Sequence, residues 1–133
     1  MKNTFPKKEH LCSHVKIAAL WKQGNRKDVF PLHCIWQVQP MEDGNETMFQ
    51  VLFSVSKKKF KHAVDRNRIK RQLRETCRLN QHHIKAVLAE RRLVLYMMVL
   101  YTQSQLLNYW TIDKAYIALL QHIEKQLTEN TAQ

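Results

Sequence analysis

Ten of the chain's 22 lysines and arginines lie between Lys57 and Arg78. Lys57, Lys58, Lys59 and Lys61 come first. Arg66, Arg68, Lys70, Arg71, Arg74 and Arg78 follow, with Asn67 among them and only Asp65 and Glu75 against them. A dense run of one sign can hold a polyanion. Arginine dominates the second half, and its planar guanidinium forks onto phosphate oxygens in a way an ammonium does not. Neutralising several phosphates releases counterions, so such binding falls steeply with salt. Nothing in the stretch offers base-edge readout. The expected ligand is therefore the backbone and shape of a folded RNA. A merely solvated charged helix is the plain alternative, and the concentration of cations weighs against it.

Other chemistries fare worse. The chain has 133 residues and a formal charge of +11, which favours nucleic acid, an anionic membrane surface or an acidic protein as partner. The adjacent pair His82 and His83 has no Cys-x-x-Cys or His-x-x-x-His companion to complete a tetrahedral metal site. Asp65, Glu75 and Glu90 stand singly among cations, whereas nuclease chemistry by the protein itself needs clustered carboxylates to hold magnesium. No catalytic residue is assigned to the protein. Cys12, Cys34 and Cys77 are scattered and odd in number, which fits a reducing compartment rather than a disulfide framework. Cys77 lies near an apolar stripe and is expected to be a buried, inert thiol. No signal peptide is visible. The longest apolar run, Leu93 to Tyr101, is too short to cross a bilayer, which takes about 20 helical residues. A soluble cytoplasmic protein with no membrane partner is expected.

The cations need a helix to line them up. With Ile69 as origin and about 100° per residue, Leu73 and Thr76 fall within about 40° of it. Asn67, Lys70, Arg71, Arg74 and Arg78 fall between about 100° and 200°. One face packs on a sheet, through Ile69, Leu73, Thr76, Cys77 and Ile84; the other is a cationic ridge flanked by Arg66 and Arg68. The spacing sets Lys70 against Arg74 and Arg74 against Arg78, like charges that each cost a few tenths of a kcal/mol in a helix.

Around this helix the pattern predicts one domain over residues 1–133, with loose ends at 1–8 and 129–133. A helix is predicted over Glu9 to Lys22, with Leu11, Val15, Ala18 or Ala19, Ile17 and Trp21 at spacings of three and four, ended by Gly24 and Asn25. Phe30 to Val38 reads as a strand with Leu32, Cys34 and Trp36 on one face and His33, Ile35 and Gln37 on the other. PMEDGNET reads as a turn, and Met48 to Ser56 as the returning strand of a hairpin, buried on both faces. RRLVLYMMVLY is a third, central strand. Tyr109 to Thr128 is a final helix burying Ile112, Tyr116, Leu119, Leu120, Ile123 and Leu127. Trp36 is read as core. The order is helix, strand, strand, helix, strand, helix: an α+β sandwich.

The stretch KKKFKHAVDRNRIKRQLRE closely resembles the signature of the protein subunit of bacterial ribonuclease P. The matching residues are Lys57-Lys58, Ala63-Val64, Arg66-Asn67-Arg68, Lys70-Arg71 and Arg74-Glu75. FPKKEHLCS, LFSVSKK and LVLYMMVLY are similar to the family's start, its strand before the motif and its apolar strand after it, so the likeness spans roughly residues 5–127. The resemblance implies an α-β-β-(β)-α-β-α sandwich with an unusual left-handed β-α-β crossover through the basic helix, against the usual right-handed rule. It implies a protein that binds the catalytic RNA of ribonuclease P and assists RNA-catalysed, magnesium-dependent removal of the 5′ leader from precursor tRNA. In that reading Lys57, Lys58, Lys59, Lys61, Arg66, Asn67, Arg68, Lys70, Arg71, Arg74 and Arg78 contact RNA. A cleft between the first helix and the sheet, at Ile17, Trp21, His33 and Ile35, takes the leader. The protein is expected to be monomeric within the complex. Members can also carry a metal ion at the leader surface, but no ligands are assignable here. The chain departs from the family's pattern at Phe60-Lys61-His62, which lacks glycine, at Leu52 in place of a strand glycine, at His10 in place of an arginine and at Ile17 in place of an aromatic. The rival reading is another structured-RNA-binding protein, such as a ribosomal protein. It shares the composition but not the long motif.

Overall fold

A four-stranded mixed sheet carries helices on both faces. The computed structural model describes residues 9–11, 13–42 and 47–130. The elements are α1 (His14–Gln23), β1 (Asn25–Val29), β2 (Leu32–Pro40), β3 (Phe49–Val55), α2 (Ala63–Arg91), β4 (Leu93–Tyr101) and α3 (Tyr109–Asn130). Strand order is β1-β2-β4-β3. β2 runs antiparallel to β1 and β4, whereas β3 runs parallel to β4.

Two apolar layers hold this together. On one face Leu32, Cys34, Trp36, Phe49, Val51, Phe53, Leu95, Met97 and Val99 pack against α2 and α3. On the other, Ile35, Val94, Tyr96 and Met98 pack beneath Leu20 of α1 and Leu11. β4 is buried nearly along its whole length because both its faces are apolar and both its edges are paired. Its predicted central place is what such a strand requires. α2 buries Ile69, Leu73, Thr76, Cys77, Gln81, Ile84 and Leu88, the predicted stripe carried one turn further. The predicted last-helix residues are all buried as well.

Four local predictions are corrected. The first helix begins at His14, not Glu9. Ser13 caps it, its hydroxyl accepting from the Lys16 N–H at 3.3 Å. Residues 9–11 instead form a strap along β3, where the Leu11 N–H donates to the Val51 carbonyl at 3.0 Å and His10 makes a parallel bridge to Val51. β3 is an edge strand with free backbone groups, and pairing satisfies them. Glu9, only 3% exposed, reaches the other side and pairs with Lys85 of α2.

Second, Gly24 ends α1 as predicted, but Asn25–Val29 then forms a strand that the pattern does not predict. It is almost wholly exposed and polar, so it carries no alternation; its backbone pairing to β2 creates it. β2 accordingly starts at Leu32, after the Phe30-Pro31 turn. Third, β2 and β3 are not a hairpin. β4 lies between them, since β2 already pairs with β1 on its other edge. Of the PMEDGNET turn, residues 43–46 lie outside the described residues. β3 also buries one face only: Phe49, Val51, Phe53 and Val55 are buried, while the intervening residues are half-buried. Fourth, α3 runs to Asn130, into the segment predicted to be loose. Residues 1–8 and 131–133 lie outside the described residues. The connection β3-α2-β4 joins adjacent parallel strands through the basic helix; it is the crossover for which the family resemblance implies a left hand.

Candidate nucleic-acid interface

The cationic helix is fastened before it is displayed. Phe60, in the middle of the lysine run, is buried and packs on Tyr101 with ring centroids 5.9 Å apart. The Phe60 N–H closes a turn onto the Ser56 carbonyl at 3.1 Å. Lys57, Lys58 and Lys59 are thereby left exposed at the end of β3. Lys59 donates to the Thr102 carbonyl, which draws it across to the end of β4. Lys61 is exposed.

Arg66 departs from the simple ridge. Its Nη1 donates to the carbonyls of Phe60 and Lys61 at 2.7 and 3.1 Å. It clamps the connector onto the first turn of α2, as its angle near Ile69 on the helix allows. Asn67, Arg68, Arg71 and Arg74 are exposed, and Lys70 is half-buried. Among the described residues, none of Arg68, Lys70, Arg71 and Arg74 is in an ion pair. Arg78 is different. Its Nη2 and Nε fork onto Glu75 at 2.5 and 3.1 Å. That hydrogen bond holds the Glu75 carboxyl below its usual range and the Arg78 guanidinium above its own, so the directions of the two partners agree. The pair is open to solvent and stabilises the fold little, but it offsets part of Arg78's charge. The unopposed part of the ridge is thus Arg68, Lys70, Arg71 and Arg74.

Two features of this surface were missed. Lys70 and Arg74 share a cavity of about 170 Å³ with His10 of the strap, at the outer edge of β3. The strap position of His10 depends on strand pairing, which has no local signal. The other lies at the end of α1. Trp21 is 49% exposed. Arg26 of β1 donates to the Trp21 carbonyl at 2.7 Å and holds its guanidinium 5.7 Å from the Trp21 ring centroid. Arg26 also approaches His33 Nε2 at 3.5 Å, and His33 Nδ1 lies 2.5 Å from Asp28. Arg26 and Asp28 belong to the strand that sequence patterning overlooks.

Of the predicted cleft residues, Trp21 and His33 therefore come together through Arg26. Ile17 is half-buried and packs against the α1-side core. Ile35 is completely buried beneath α1 and has no exposed atom to offer a ligand. It is instead the seat of the helix. A Cβ on Gly24 would stand 2.5 Å from Ile35 Cγ2 and 2.6 Å from the Leu20 carbonyl oxygen, so only glycine fits where α1 meets the sheet. Trp36 is core. Burial pushes the Cys34 and Cys77 thiols up to about 12, far from a reactive range. Among the described residues, no group of three or more His, Cys, Asp or Glu side chains is arranged to hold a metal ion, and no helix is long and apolar enough to cross a membrane.

The chain matches the family model described as Ribonuclease P over residues 5–124. A ribonuclease P protein component from Porphyromonas gingivalis is 31% identical over 109 residues, covering 82% of this chain and 78% of that one. Another from Chlorobaculum tepidum is 38% identical over 88 residues, covering 65% of this chain and 57% of that one. The RNase P protein of Staphylococcus aureus shares the fold with a TM-score of 0.66 at 21% identity, over 86% of this chain and 94% of that one. The RNase P protein of Thermotoga maritima does so with a TM-score of 0.66 at 19% identity, over 86% and 96%. The chain belongs to the ribonuclease P protein family.

Proposed function

We propose that the chain docks through α2 and the lysines before it on the RNA subunit of ribonuclease P, and that it grips the 5′ leader of precursor tRNA between α1 and the sheet. The observation that carries the docking role is the unopposed cationic face. Arg68, Lys70, Arg71 and Arg74 form no described ion pair, and they continue into exposed Lys57 and Lys58. Their geometry suits phosphates spaced along a folded RNA. Arg66 acts here as the clamp that holds the two cationic segments together. Trp21, braced by Arg26, supports the leader reading, because an exposed indole next to a guanidinium is a platform on which an unpaired base stacks. The protein binds, and the RNA subunit performs the magnesium-dependent cleavage. It works in the cytoplasm as a single copy in the complex.

One cleavage assay on precursor tRNA tests this, with protein alone, RNA alone and both. Cleavage is expected with RNA at high magnesium and enhanced with both at low magnesium. Cleavage by protein alone overturns the reading. The family match and the unbroken motif weigh against a ribosomal protein.

A further inference from the structure

A second surface carries the marks of single-strand recognition. On the sheet face away from α1, behind the β1–β2 turn, Val29, Phe30, Thr111, Lys114, Ala115 and Ala118 line a cavity of about 410 Å³. Phe30 is 63% exposed at its rim. Trp110, 74% exposed, lies one helical turn before Lys114 on the same side of α3. Lys27 is exposed on β1 and shares the strand face of Val29. Small side chains, Ala115 and Ala118, form the floor.

Neither aromatic belongs to the buried core. α3 is anchored by Ile112, Tyr116, Leu119, Ile123 and Leu127, all buried elsewhere on the helix. Single exposed apolar residues are ordinary; here Phe30 and Lys114 line one cavity, and Trp110, its ring edge-on to Tyr109 at 5.6 Å between centroids, comes one turn of α3 before Lys114. The neighbouring carboxylates are turned away. Asp28 is bonded to His33 on the α1 face, and Asp113 accepts from Thr76 and Asn80 of α2. Among the described residues lining the cavity, none is acidic. A carboxylate-free hollow lined by Phe30 and Lys114, on a chain of charge +11, complements an unpaired nucleotide: a π-face for the phenyl ring and a phosphate for the ammonium.

We propose that this hollow is a second RNA subsite, taking one or two unpaired bases of a single strand against Phe30 and Trp110, with flanking phosphates on Lys114 and Lys27. It lies on the opposite side of the β1–β2 hairpin from Trp21 and His33, so a strand passing over the hairpin turn meets both. The subsite rests on the reading of the chain as an RNA-binding protein, but not on the docking role of α2.

The test uses the full chain and a 5-iodouridine-substituted oligouridine. Photo-crosslinks are mapped by mass spectrometry, and affinities are measured for wild type and for the triple variant Phe30→Ala, Trp110→Ala, Lys114→Ala. Crosslinks at Phe30 and Trp110 are expected, with a loss of roughly tenfold to a hundredfold in oligouridine affinity. Affinity of the variant for ribonuclease P RNA is expected to stay within about threefold of wild type, since a structured RNA of that size makes most of its contacts at phosphates. Crosslinks confined to the Trp21 side, or oligouridine affinity unchanged in the variant, overturn the proposal. So does sedimentation showing a wild-type dimer that the variant abolishes while oligouridine binding persists, because the hollow then joins two copies. A failure of the α2 docking reading is separable: it shows as unchanged binding to ribonuclease P RNA when Arg68, Arg71 and Arg74 are replaced, and leaves the oligouridine crosslinks untouched.

Discussion

Replacing Arg68, Arg71 and Arg74 together by alanine isolates the docking face. All three are exposed, and among the described residues none is paired with a carboxylate. Each side chain that neutralises a phosphate contributes about 0.7–0.9 to the slope of log affinity against log salt. Three contacts therefore account for a slope change of about 2–3. Over a fourfold rise in salt that is roughly a thirtyfold difference in how far affinity falls. The loss is expected to be largest at low salt and to shrink as salt rises, because the missing contacts are electrostatic. Filter binding to ribonuclease P RNA at four or more salt concentrations measures it, with far-UV circular dichroism to show that α2 is intact. Alanine favours the helix and removes like-charge repulsion, so folding is not expected to suffer. Arg78→Ala serves as internal comparison. Its guanidinium already forks onto Glu75, so its slope change is expected to be well under that of Arg71. A triple variant with the wild-type slope refutes the docking of this face on phosphate.

The remaining predictions concern single positions. Arg66→Ala is expected to loosen the connector, since its guanidinium bonds the Phe60 and Lys61 carbonyls; hydrogen exchange at residues 57–62 should quicken, and unchanged exchange refutes the clamp. Trp21→Ala is expected to weaken binding of precursor tRNA by the assembled complex by about 1–3 kcal/mol per stacked base, with mature tRNA unaffected; equal loss for both sinks the leader assignment. Gly24→Ala forces a Cβ against Ile35 and the Leu20 carbonyl and is expected to cost about 1–3 kcal/mol in urea unfolding, whereas a neutral result shows that α1 shifts freely on the sheet. Cys34 and Cys77, with thiols pushed up to about 12 by burial, are expected to resist a thiol reagent at pH 8 until urea unfolds the chain; prompt labelling of either in the native state contradicts the packing of α2 and α3 on the sheet.

Local periodicity was enough for α2. Ile69, Leu73, Thr76, Cys77 and Ile84 recur at helical spacing, so the opposing cations had to share the other face, and all five are buried. β4 was equally legible, because a strand apolar on both faces must be covered on both. The family motif is a run of contiguous residues, and it needs no fold to be read. Pairing between distant strands leaves no such mark. Asn25–Val29 is polar and exposed and is a strand only because β2 lies beside it. β4 enters between β2 and β3 because edge satisfaction is settled over the whole sheet, whereas the turn residues between β2 and β3 argue only for a local reversal. The unforeseen roles of individual residues follow from this. Ile35 sits under α1 rather than in an open cleft, Arg26 reaches Trp21 from a strand that patterning overlooks, and Arg66 turns inward to the connector carbonyls. The sequence by itself determined the amphipathic helix, its charge and its family, since these are properties of neighbouring residues. The tertiary structure alone decided which cations stay unopposed and which aromatics remain exposed, since those depend on what the rest of the chain places beside them.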